Sequence, residues 1–305
     1  MRILPIHLDS EMLTAKKIAK GIEMTGCDAM NVGQFEIAAG YDFLKSIMDT
    51  IDLPFVSANI KNTIDGKYAF DRYKIIEKDG IKVGITGVIS TLPEKVTELT
   101  LEPYLDAGQE IIAELESKAH VIVMMVNATR KNFEEAKNAF HNADYIFTSG
   151  SLHTTRVEQE QDVNGPKEYS SGKQGKFLTQ IELTIANIDS PIVDVSSAAE
   201  KIKSVDKRLK NLQKRDPNKS LREIFANNKT MLSLIGDYEA KRIDAQKTLE
   251  HVVNSSEYSS VPMNSKVKDQ PEILSYVNQA LAEIKKVKNS ERKPVNTTNK
   301  KRAAH

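Results

Sequence analysis

The residues best placed to do chemistry lie in a loop that follows a short apolar stretch. Residues 31–40 read NVGQFEIAAG, with a glycine, an acid and a second glycine after a predicted buried strand. Loops at the carboxyl ends of such strands are where α/β proteins bind their ligands. The side chains here are Gln34, Phe35 and Ala38, and none of them is an ordinary metal ligand. The loop has the outline of a catalytic loop without the usual ligands.

Two more predicted strand ends carry polar candidates. The strand HVIVMMVN ends at Asn127, and DYIFTSG leads to His153. Each candidate also has a structural interpretation: Gln34 and Asn127 as hydrogen-bonding partners at strand ends, and His153 as a surface histidine. Phe35 is expected to fill the space that a metal site would occupy, and Glu36 to cap or orient its loop.

The remaining histidines, the glycine turns and the single cysteine give weaker signals. Residues 149–151 and 172–175 have the composition of a small anion-binding nest, but glycine turns of this kind are common. Cys27 excludes an intramolecular disulfide and a thiolate zinc site, and we interpret it as a buried structural residue. The histidines that show no metal-ligand spacing with one another are His7, His120, His141, His251 and His305.

Helical and strand periodicities alternate along the first part of the chain. The strand HVIVMMVN is a continuous apolar run, which is typical of a strand covered on both faces. A hairpin is predicted with its turn at Asp79-Gly80, and residues 153–172 are predicted to form a polar, mobile loop. The alternation predicts an α/β layered sheet. The predicted helices cover residues 10–24, 41–51, 103–118 and 131–142, and the further strands are AMNVG, LPFVSANI, DYIFTSG and GKFLTQIELTI.

The pattern changes to helical after Pro191. A break at Asp216-Pro217 separates a first apolar-periodic segment from a second one over residues 220–253, which together predict a helical hairpin with basic outer faces. A coil around Pro262 and a helix over residues 271–287 follow. The first arm is defined by the 3–4 spacing of Ile202, Val205, Leu209 and Leu212.

These patterns divide the chain into four segments. We expect an α/β domain over 1–190, a helical hairpin over 191–254, a return segment and C-terminal helix over 255–288, and a disordered basic tail over 289–305. Residues 1–190 carry 20 Lys and Arg against 28 Asp and Glu, a net of −8, and residues 191–305 carry 23 against 14, a net of +9. The two parts are expected to attract each other.

The overall composition excludes several classes of protein. With 305 residues, 40% of them hydrophobic, the chain can bury a substantial core. The net charge of +1 gives no argument for nucleic-acid binding, and no apolar run is long enough to span a membrane. The N-terminal stretch MRILPIH lacks the features of a signal peptide and is expected to be loosely held.

Several stretches together resemble a known family. Residues 26–60, which contain GCDAMNVGQFEIAAG and end in SANI, are similar to a region of secreted 5′-nucleotidase and UDP-sugar hydrolase type metallophosphoesterases that reads G-Y-D-A-M-x-x-G-N-H-E-F-D-x-G. The family belongs to the calcineurin-like phosphoesterase superfamily. KIIEKDGIKVGITGVIS, HVIVMMVNATR, DYIFTSGSLHTTR and YSSGKQGKFLTQIELTI resemble its later strands in the same order. The resemblance covers roughly residues 10–188 and 255–285, and implies an incomplete metallophosphoesterase-type sheet with a C-terminal helical hairpin.

The resemblance also implies two divalent metal ions, which clamp a phosphate and activate water. Family ligands come from an Asp-x-His, an Asp, the Asn of G-N-H-E, the His of S-H-x-G and a His-x-His. Gln34 takes the place of that Asn, Phe35 the place of the following His, and Asn127 the place of the His in S-H-x-G. Ala38 replaces a family Asp.

The other family ligands have no clear counterpart either. Gly150 and Leu152 occupy the His-x-His positions, unless a one-residue shift brings in His153. The strands that carry Asp-x-His and the bridging Asp would precede MRILPIH. A dinuclear site needs about six to eight oxygen or nitrogen ligands, so these substitutions predict a degenerate site with no metal cofactor.

Two functions remain open at this point. The first is a catalytically inactive phosphoesterase-fold protein that acts in binding or assembly, either with a second copy or with an envelope protein, through the helical hairpin. The second is a fragment or mis-started form of an active hydrolase in nucleotide catabolism. As it stands the chain is expected to be cytoplasmic, whereas an upstream start would imply the periplasm or cell envelope.

Overall fold

A computed structural model describes residues 8–150 and 153–291. Within these ranges it contains helices and several sheets, in a mixed α/β arrangement. The helices are α1 (Leu8–Met24), α2 (Tyr41–Met48), α3 (Tyr104–Glu116), α4 (Arg130–Ala139), α5 (Ser196–Gln213), α6 (Leu221–Ile224), α7 (Lys229–Leu249) and α8 (Pro271–Glu291). The strands are β1 (Met30–Asn31), β2 (Phe55–Val56), β3 (Ile60–Asn62), β4 (Tyr73–Lys78), β5 (Ile81–Ile89), β6 (Leu99–Leu101), β7 (Val121–Asn127), β8 (Tyr145–Ser149), β9 (Lys167–Tyr169), β10 (Phe177–Thr184), β11 (Ile192–Asp194) and β12 (Asn254–Pro262).

The central sheet has five strands in the order β4-β5-β7-β8-β9. β5, β7, β8 and β9 pair in parallel, and β4 pairs with β5 in an antiparallel hairpin. The hairpin turn lies at Asp79-Gly80, as predicted, and both residues have positive φ angles, 53° and 80°. Two positive φ angles identify the turn type whose twist matches that of the flanking strands. Because β5, β7 and β8 run in the same direction, their carboxyl ends share one edge.

Both faces of the central sheet are covered. α3 and α4 pack on one face around fully buried residues such as Ile111, Met124 and Phe140. The other face meets a second sheet of order β10-β12-β11 through stacked aromatic rings, with the centroids of Tyr169 and Tyr258 4.6 Å apart. This double coverage explains the continuous apolar sequence of β7.

The serine-rich stretch predicted as a coil around Pro262 is a strand, so that prediction is wrong. β12 runs antiparallel to β10 and parallel to β11. Its inward positions are Asn254, Ser256 and Tyr258, which are all buried. Small polar residues on the inward face hide the apolar alternation that identifies most strands. The loop predicted over residues 153–172 likewise contains a strand, β9.

The helical hairpin is present, but its second arm is interrupted. α6 ends at Ile224 and α7 begins at Lys229, whereas a continuous segment was predicted over 220–253. An N-cap residue precedes each of the two helices and explains why α6 and α7 begin separately. The Ser220 side chain accepts a hydrogen bond from the Glu223 backbone N–H, and the Asn228 side chain accepts one from Met231.

The long C-terminal helix packs against the first helix. α8 runs antiparallel to α1, with an ion pair of 2.6 Å between Lys17 Nζ and Glu283 Oε2. The Tyr276 hydroxyl donates a hydrogen bond to the Lys17 carbonyl oxygen at 3.1 Å. α8 extends to Glu291, so residues 289–291 of the predicted disordered tail are helical. The predictions for residues 1–7 and 292–305 lie outside the described residues.

None of the helices in the described ranges combines the length and hydrophobicity that a bilayer-spanning helix needs.

Two helical glycines allow a matched test of packing on the covered face. A Cβ atom on Gly108 in α3 would lie 2.3 Å from Cε1 of Phe140, whereas one on Gly236 in α7 would meet nothing within 4 Å. We expect Gly108→Ala to lower the free energy of unfolding by about 1–3 kcal/mol through overpacking. Gly236→Ala should raise it by roughly 0.5–1 kcal/mol, because alanine favours the helix. Urea denaturation measures both, and a stabilising Gly108→Ala would contradict this packing.

Candidate functional site

Four strand ends meet at the carboxyl edge of the central sheet. The backbone N–H of Ser90, just after β5, donates to the Asn127 carbonyl oxygen at 3.0 Å. Ala128 N–H donates to the Ser149 carbonyl at the end of β8. The loop after β1, which contains Gly33, closes over this edge. The structure therefore brings the predicted residues Gln34, Glu36 and Asn127 together with Ser149.

Hydrogen bonds within this group occupy its polar side chains. Glu36 Oε2 accepts from the Gly33 N–H at 3.0 Å, so the carboxylate orients its own loop as expected. Asn127 Oδ1 accepts from the Gln34 backbone N–H at 3.4 Å, and Asn127 Nδ2 donates to Ser149 Oγ at 2.9 Å. Gln34 takes part through its backbone, while its side chain is exposed.

The space at the centre of the group is filled. A Cβ atom at Gly33 would lie 2.8 Å from Glu36 Oε2 and 3.0 Å from both Cγ and Nδ2 of Asn127. Only glycine fits there without a shift of these side chains. The glycine of the loop is therefore required for the close approach of two side chains to the backbone.

Asn31 attaches the loop to the sheet, a role that the sequence did not suggest. Its Nδ2 donates to the carbonyl oxygens of Val88 at 3.1 Å and Met125 at 3.4 Å. A Cβ atom on Gly87 of β5 would lie only 2.3 Å from Asn31 Oδ1, so Gly87 is the residue that admits this amide. The sequence signals for this role are an asparagine at the end of one strand and a glycine within a neighbouring strand.

Phe35 does not fill the space of a metal site, and that prediction is wrong. Its side chain is 64% exposed and lines an apolar cavity of about 290 Å³ between α1 and α2. Ala38, Ile18 and Phe43 line the same cavity. Glu36 and Asn127 already fill the centre by hydrogen bonding, so the aromatic ring turns outward to apolar neighbours.

The residues near His153 take part in this edge of the sheet through their backbone conformation and not as metal ligands. His153 is exposed, and its carbonyl oxygen accepts a hydrogen bond from Ser170 Oγ at 2.8 Å. Gly150 has a φ of 96°, and a Cβ atom there would lie 2.8 Å from the Ala128 carbonyl oxygen. Leu152, the alternative family position, and Ser151 of the predicted anion-binding nest lie outside the described residues.

The residues at this edge do not fit a pair of divalent metal ions. Such a pair needs a bridging carboxylate and six to eight hard ligands. The group around Gly33 offers the Glu36 carboxylate, the Asn127 carboxamide and the Ser149 hydroxyl, which already bond to the protein, and the exposed Gln34 carboxamide. Within residues 8–150 and 153–291, no group of three or more His, Cys, Asp or Glu side chains has an arrangement that could hold a metal ion.

A second cavity, of about 340 Å³, lies at the opposite edge of the sheet. His120, Asp144, Asp189 and Asn254 contribute to its lining. Asp144 Oδ2 accepts a hydrogen bond from the Ile122 N–H at 2.8 Å. Burial raises the pKa of the Asp144 carboxyl, although the Ile122 N–H and the Lys167 charge act in the opposite direction. This carboxyl group is costly to ionise in the folded protein.

Replacing Asp144 with asparagine should therefore stabilise the protein at neutral pH. The folded pKa lies above the unfolded one, so the contribution of Asp144 to stability is fully present below the unfolded value of about 4 and is lost as pH rises through the folded pKa. Asparagine keeps an acceptor for the Ile122 N–H and never ionises. The stability of the variant relative to wild type should increase as pH rises. Melting temperatures of both proteins at several pH values measure this difference.

The exposed Asp189→Asn, on the rim of the same cavity, is the control and should follow the wild-type curve. If Asp144→Asn lost stability relative to wild type as pH rose, the sign of the argument would be wrong.

The chain is similar to curated bacterial 5′-nucleotidases, while no family model matches it. It is 31% identical over 113 residues to a 5′-nucleotidase of Vibrio parahaemolyticus, across 35% of this chain and 20% of the relative. It is 28% identical over 116 residues to a 5′-nucleotidase of Vibrio cholerae, across 36% of this chain and 21% of the relative. The chain therefore spans about a fifth of the length of these relatives.

Solved structures with the same fold include phosphoesterases. The calcineurin-like phosphoesterase YfkN from Bacillus subtilis matches with a TM-score of 0.56 and 16% identity, over 93% of this chain and 78% of that one. The sulfate thiohydrolase SoxB from Thermus thermophilus matches with a TM-score of 0.50 and 16% identity, over 55% of this chain and 32% of that one. The chain is thus a relative of the 5′-nucleotidase-type metallophosphoesterases, with a metallophosphoesterase-type α/β fold.

Proposed function

We propose that this protein has kept the phosphoesterase fold, does not hydrolyse phosphate esters, and acts in binding or assembly. The observation that carries the proposal is the closed hydrogen-bonded group at the carboxyl edge of the sheet. Asn127 bonds to both the Gln34 N–H and Ser149, and Glu36 bonds to the Gly33 N–H. These bonds fix the loop that would otherwise present metal ligands.

The energetics favour this structural role. Bringing two dications to this edge would require Glu36 and Asn127 to give up their present partners, and the freed Gly33 and Gln34 N–H groups would need new acceptors. The few ligands gained would not complete the coordination shell of either ion. The buried Asn127 amide and the half-buried Glu36 carboxylate are therefore more stable as internal hydrogen-bond partners than as metal ligands.

The direct test combines metal binding with hydrolysis. Protein purified without chelator should contain well below one equivalent of manganese, zinc or iron by elemental analysis, and added Mn²⁺ should not raise its melting temperature. The same protein should release no phosphate from adenosine 5′-monophosphate, a substrate suggested by the name of the relatives. The double variant Gln34→Asn/Asn127→His should remain inactive, since the described residues at this edge would still offer no carboxylate that is free to bridge two ions.

Opposite results would refute the proposal. About two bound equivalents of metal per chain would show that the protein binds metal through ligands outside the hydrogen-bonded group around Gly33. Metal-dependent hydrolysis that Asn127→Ala abolishes, and that the exposed Asn138→Ala on α4 leaves intact, would place catalysis at this edge.

A further inference from the structure

The apolar cavity that Phe35 lines has the properties of a binding channel. It has a volume of about 290 Å³ and lies between α1, α2 and the loop after β1. Among the described residues that line it, only Glu11 and Glu36 carry a charge. Ligand pockets have mostly apolar walls and volumes from about 300 Å³ upward, so this cavity has the size of a small one.

One face of α1 gives the channel its length. The residues of α1 that line it recur every three or four positions from Leu8 to Ile22, so they share a single side of the helix. With a rise of 1.5 Å per residue, that part of α1 is about 21 Å long. α8 packs on another side of α1, where the Tyr276 hydroxyl bonds to the Lys17 carbonyl oxygen. The packing of α8 therefore leaves this side of α1 to the channel.

The other walls belong to a packed core. Leu44 and Ile47 of α2 and Leu53 before β2 line the channel and are buried. They belong to one apolar cluster with Ala19 of α1. Because close-packed side chains of this kind shift little, the channel is pre-formed and does not need a ligand to open it.

Small side chains make the channel narrow and continuous. Ala15 and Ala19 lie one turn apart on α1, and Ala38 and Ala39 line the channel from the loop. A volume of about 290 Å³ over a length of about 20 Å corresponds to a width of about 4 Å. Carbon atoms in contact are also about 4 Å apart, so this width suits a single hydrocarbon chain. A compact ring system is too wide for it.

The rim of the channel is open to solvent. Ile18 and Phe35 are 58% and 64% exposed, and Leu8 at the end of the channel is 42% exposed. Exposed apolar side chains that gather around one opening indicate a binding site, whereas singly scattered ones do not. The two charged side chains of the lining, Glu11 and Glu36, are both acids and disfavour an anionic ligand.

We propose that this channel binds one unbranched aliphatic chain with an uncharged end group. The chain lies along α1 past Ala15 and Ala19, with Leu44 and Ile47 beneath it. It also contacts Phe35, in the loop whose backbone bonds to Glu36 and Asn127 fix the carboxyl edge of the sheet. This binding is independent of whether the protein hydrolyses phosphate esters.

Decan-1-ol and adamantan-1-ol test the shape of the channel. The two alcohols have the same number of carbon atoms, but the first is a chain and the second is a compact cage. In the full chain, decan-1-ol should shift the methyl NMR signals of Ile22, Leu44 and Ile47, with a dissociation constant of about 10–100 μM. The signals of Ile122 and Ile146 in the central sheet should not move. Adamantan-1-ol should bind at least about tenfold more weakly.

Two substitutions should block the channel from different walls. Ala15→Phe on α1 and Ala38→Phe in the loop should each weaken decan-1-ol binding at least about tenfold, because the ring fills the space. Ala240→Phe, at an exposed position on α7, is the matched control and should bind like wild type. Unchanged signals of Ile122 and Ile146 confirm that each variant is folded.

Decanoate tests the end group. It has the same chain length as decan-1-ol and should bind more weakly, because its carboxylate meets the acidic side chains of Glu11 and Glu36. Tighter binding of decanoate would overturn the assignment of an uncharged end group.

Two further results would overturn the proposal. Equal binding of decan-1-ol and adamantan-1-ol, or decan-1-ol binding that both blocking variants leave intact, would show that no narrow channel selects the ligand. A full chain without methyl shifts would also refute it. If a variant lacking residues 1–7 then bound decan-1-ol, those residues would be the occupant of the channel.

Discussion

Asn59→Ala is expected to lower the free energy of unfolding by roughly 3–5 kcal/mol, which is a large effect for a single polar side chain. Asn59 is fully buried. Its Oδ1 accepts from the Ile89 N–H at 3.0 Å, and its Nδ2 donates to the carbonyl oxygens of Ile89 at 2.9 Å and Glu102 at 3.1 Å. These bonds join the end of β5 to the segments around β3 and β6.

The size of the effect follows from the burial of the partners. Alanine would leave one N–H and two carbonyl oxygens without this amide, in a region that water reaches poorly. An unsatisfied buried group costs more than the net gain of an ordinary hydrogen bond. Asn138→Ala, on the exposed face of α4, provides the control and should change stability by less than about 0.5 kcal/mol. Urea denaturation of both variants makes the comparison, and equal small effects would show that Asn59 is dispensable.

The sequence predicted the elements whose signals are local. The Asp79-Gly80 turn was identified from two residues, because that turn type requires positive φ angles at both positions. The apolar run of β7 indicated a strand covered on two faces, and the structure places helices on one face and a sheet on the other. α1, α2, α3 and α4 followed from their apolar periodicity, with ends that differ by only a few residues.

The features that the sequence missed depend on distant partners. The sequence of β12 favours coil, because its inward residues Asn254 and Ser256 are polar, and only the pairing with β10 and β11 makes it a strand. The apolar residues near the start of α7 show the same limit, since Ile235 is buried, Met231, Leu232 and Tyr238 are half-buried, and Leu234 is exposed. Which of them another element covers is information that no local pattern contains.

The candidate site divides in the same way. The loss of metal-ligand types at Gln34, Phe35 and Asn127 was visible in the sequence. What replaces the ligands was not, since the bonds of Asn127 to Gln34 and Ser149 join residues that are far apart in the chain. The prediction that Phe35 fills the space of a metal site is wrong, because smaller polar groups that bond to one another already fill the centre.

Asn254→Ala is expected to have the second large effect, a loss of roughly 2–4 kcal/mol. Asn254 is 1% exposed and uses its full hydrogen-bonding capacity. Its Oδ1 accepts from Ala186 N–H at 2.8 Å and Asn187 N–H at 3.1 Å, and its Nδ2 donates to the carbonyl oxygens of Asn187 and Ser190, both at 2.6 Å. A single side chain thus holds the whole connection between β10 and β11.

The position of Asn254 makes this loss spread through the second sheet. As the first residue of β12 it pairs with Ile192 of β11, and β12 also carries the contacts to the hairpin. The Val195 N–H donates to the Ser256 carbonyl oxygen, and the Tyr258 N–H donates to Ser196 Oγ at the start of α5. Hydrogen exchange should therefore accelerate in residues 177–184 and 254–262 of the alanine variant, while residues 121–127 of the central sheet remain protected.

A second variant separates the two amide donors from the mere presence of an oxygen. Asn254→Asp keeps an oxygen for the Ala186 and Asn187 N–H groups but buries a carboxylate against the carbonyl oxygens of Asn187 and Ser190, so its stability at neutral pH should fall at least as far as that of alanine. Asn227→Ala, at an exposed position between α6 and α7, should have almost no effect. If Asn254→Ala and Asn227→Ala had the same melting temperature, the connection between β10 and β11 would keep its conformation without the Asn254 amide. The second sheet would then be held by its other contacts, among them the aromatic contact of Tyr258 with Tyr169 and its own ladder.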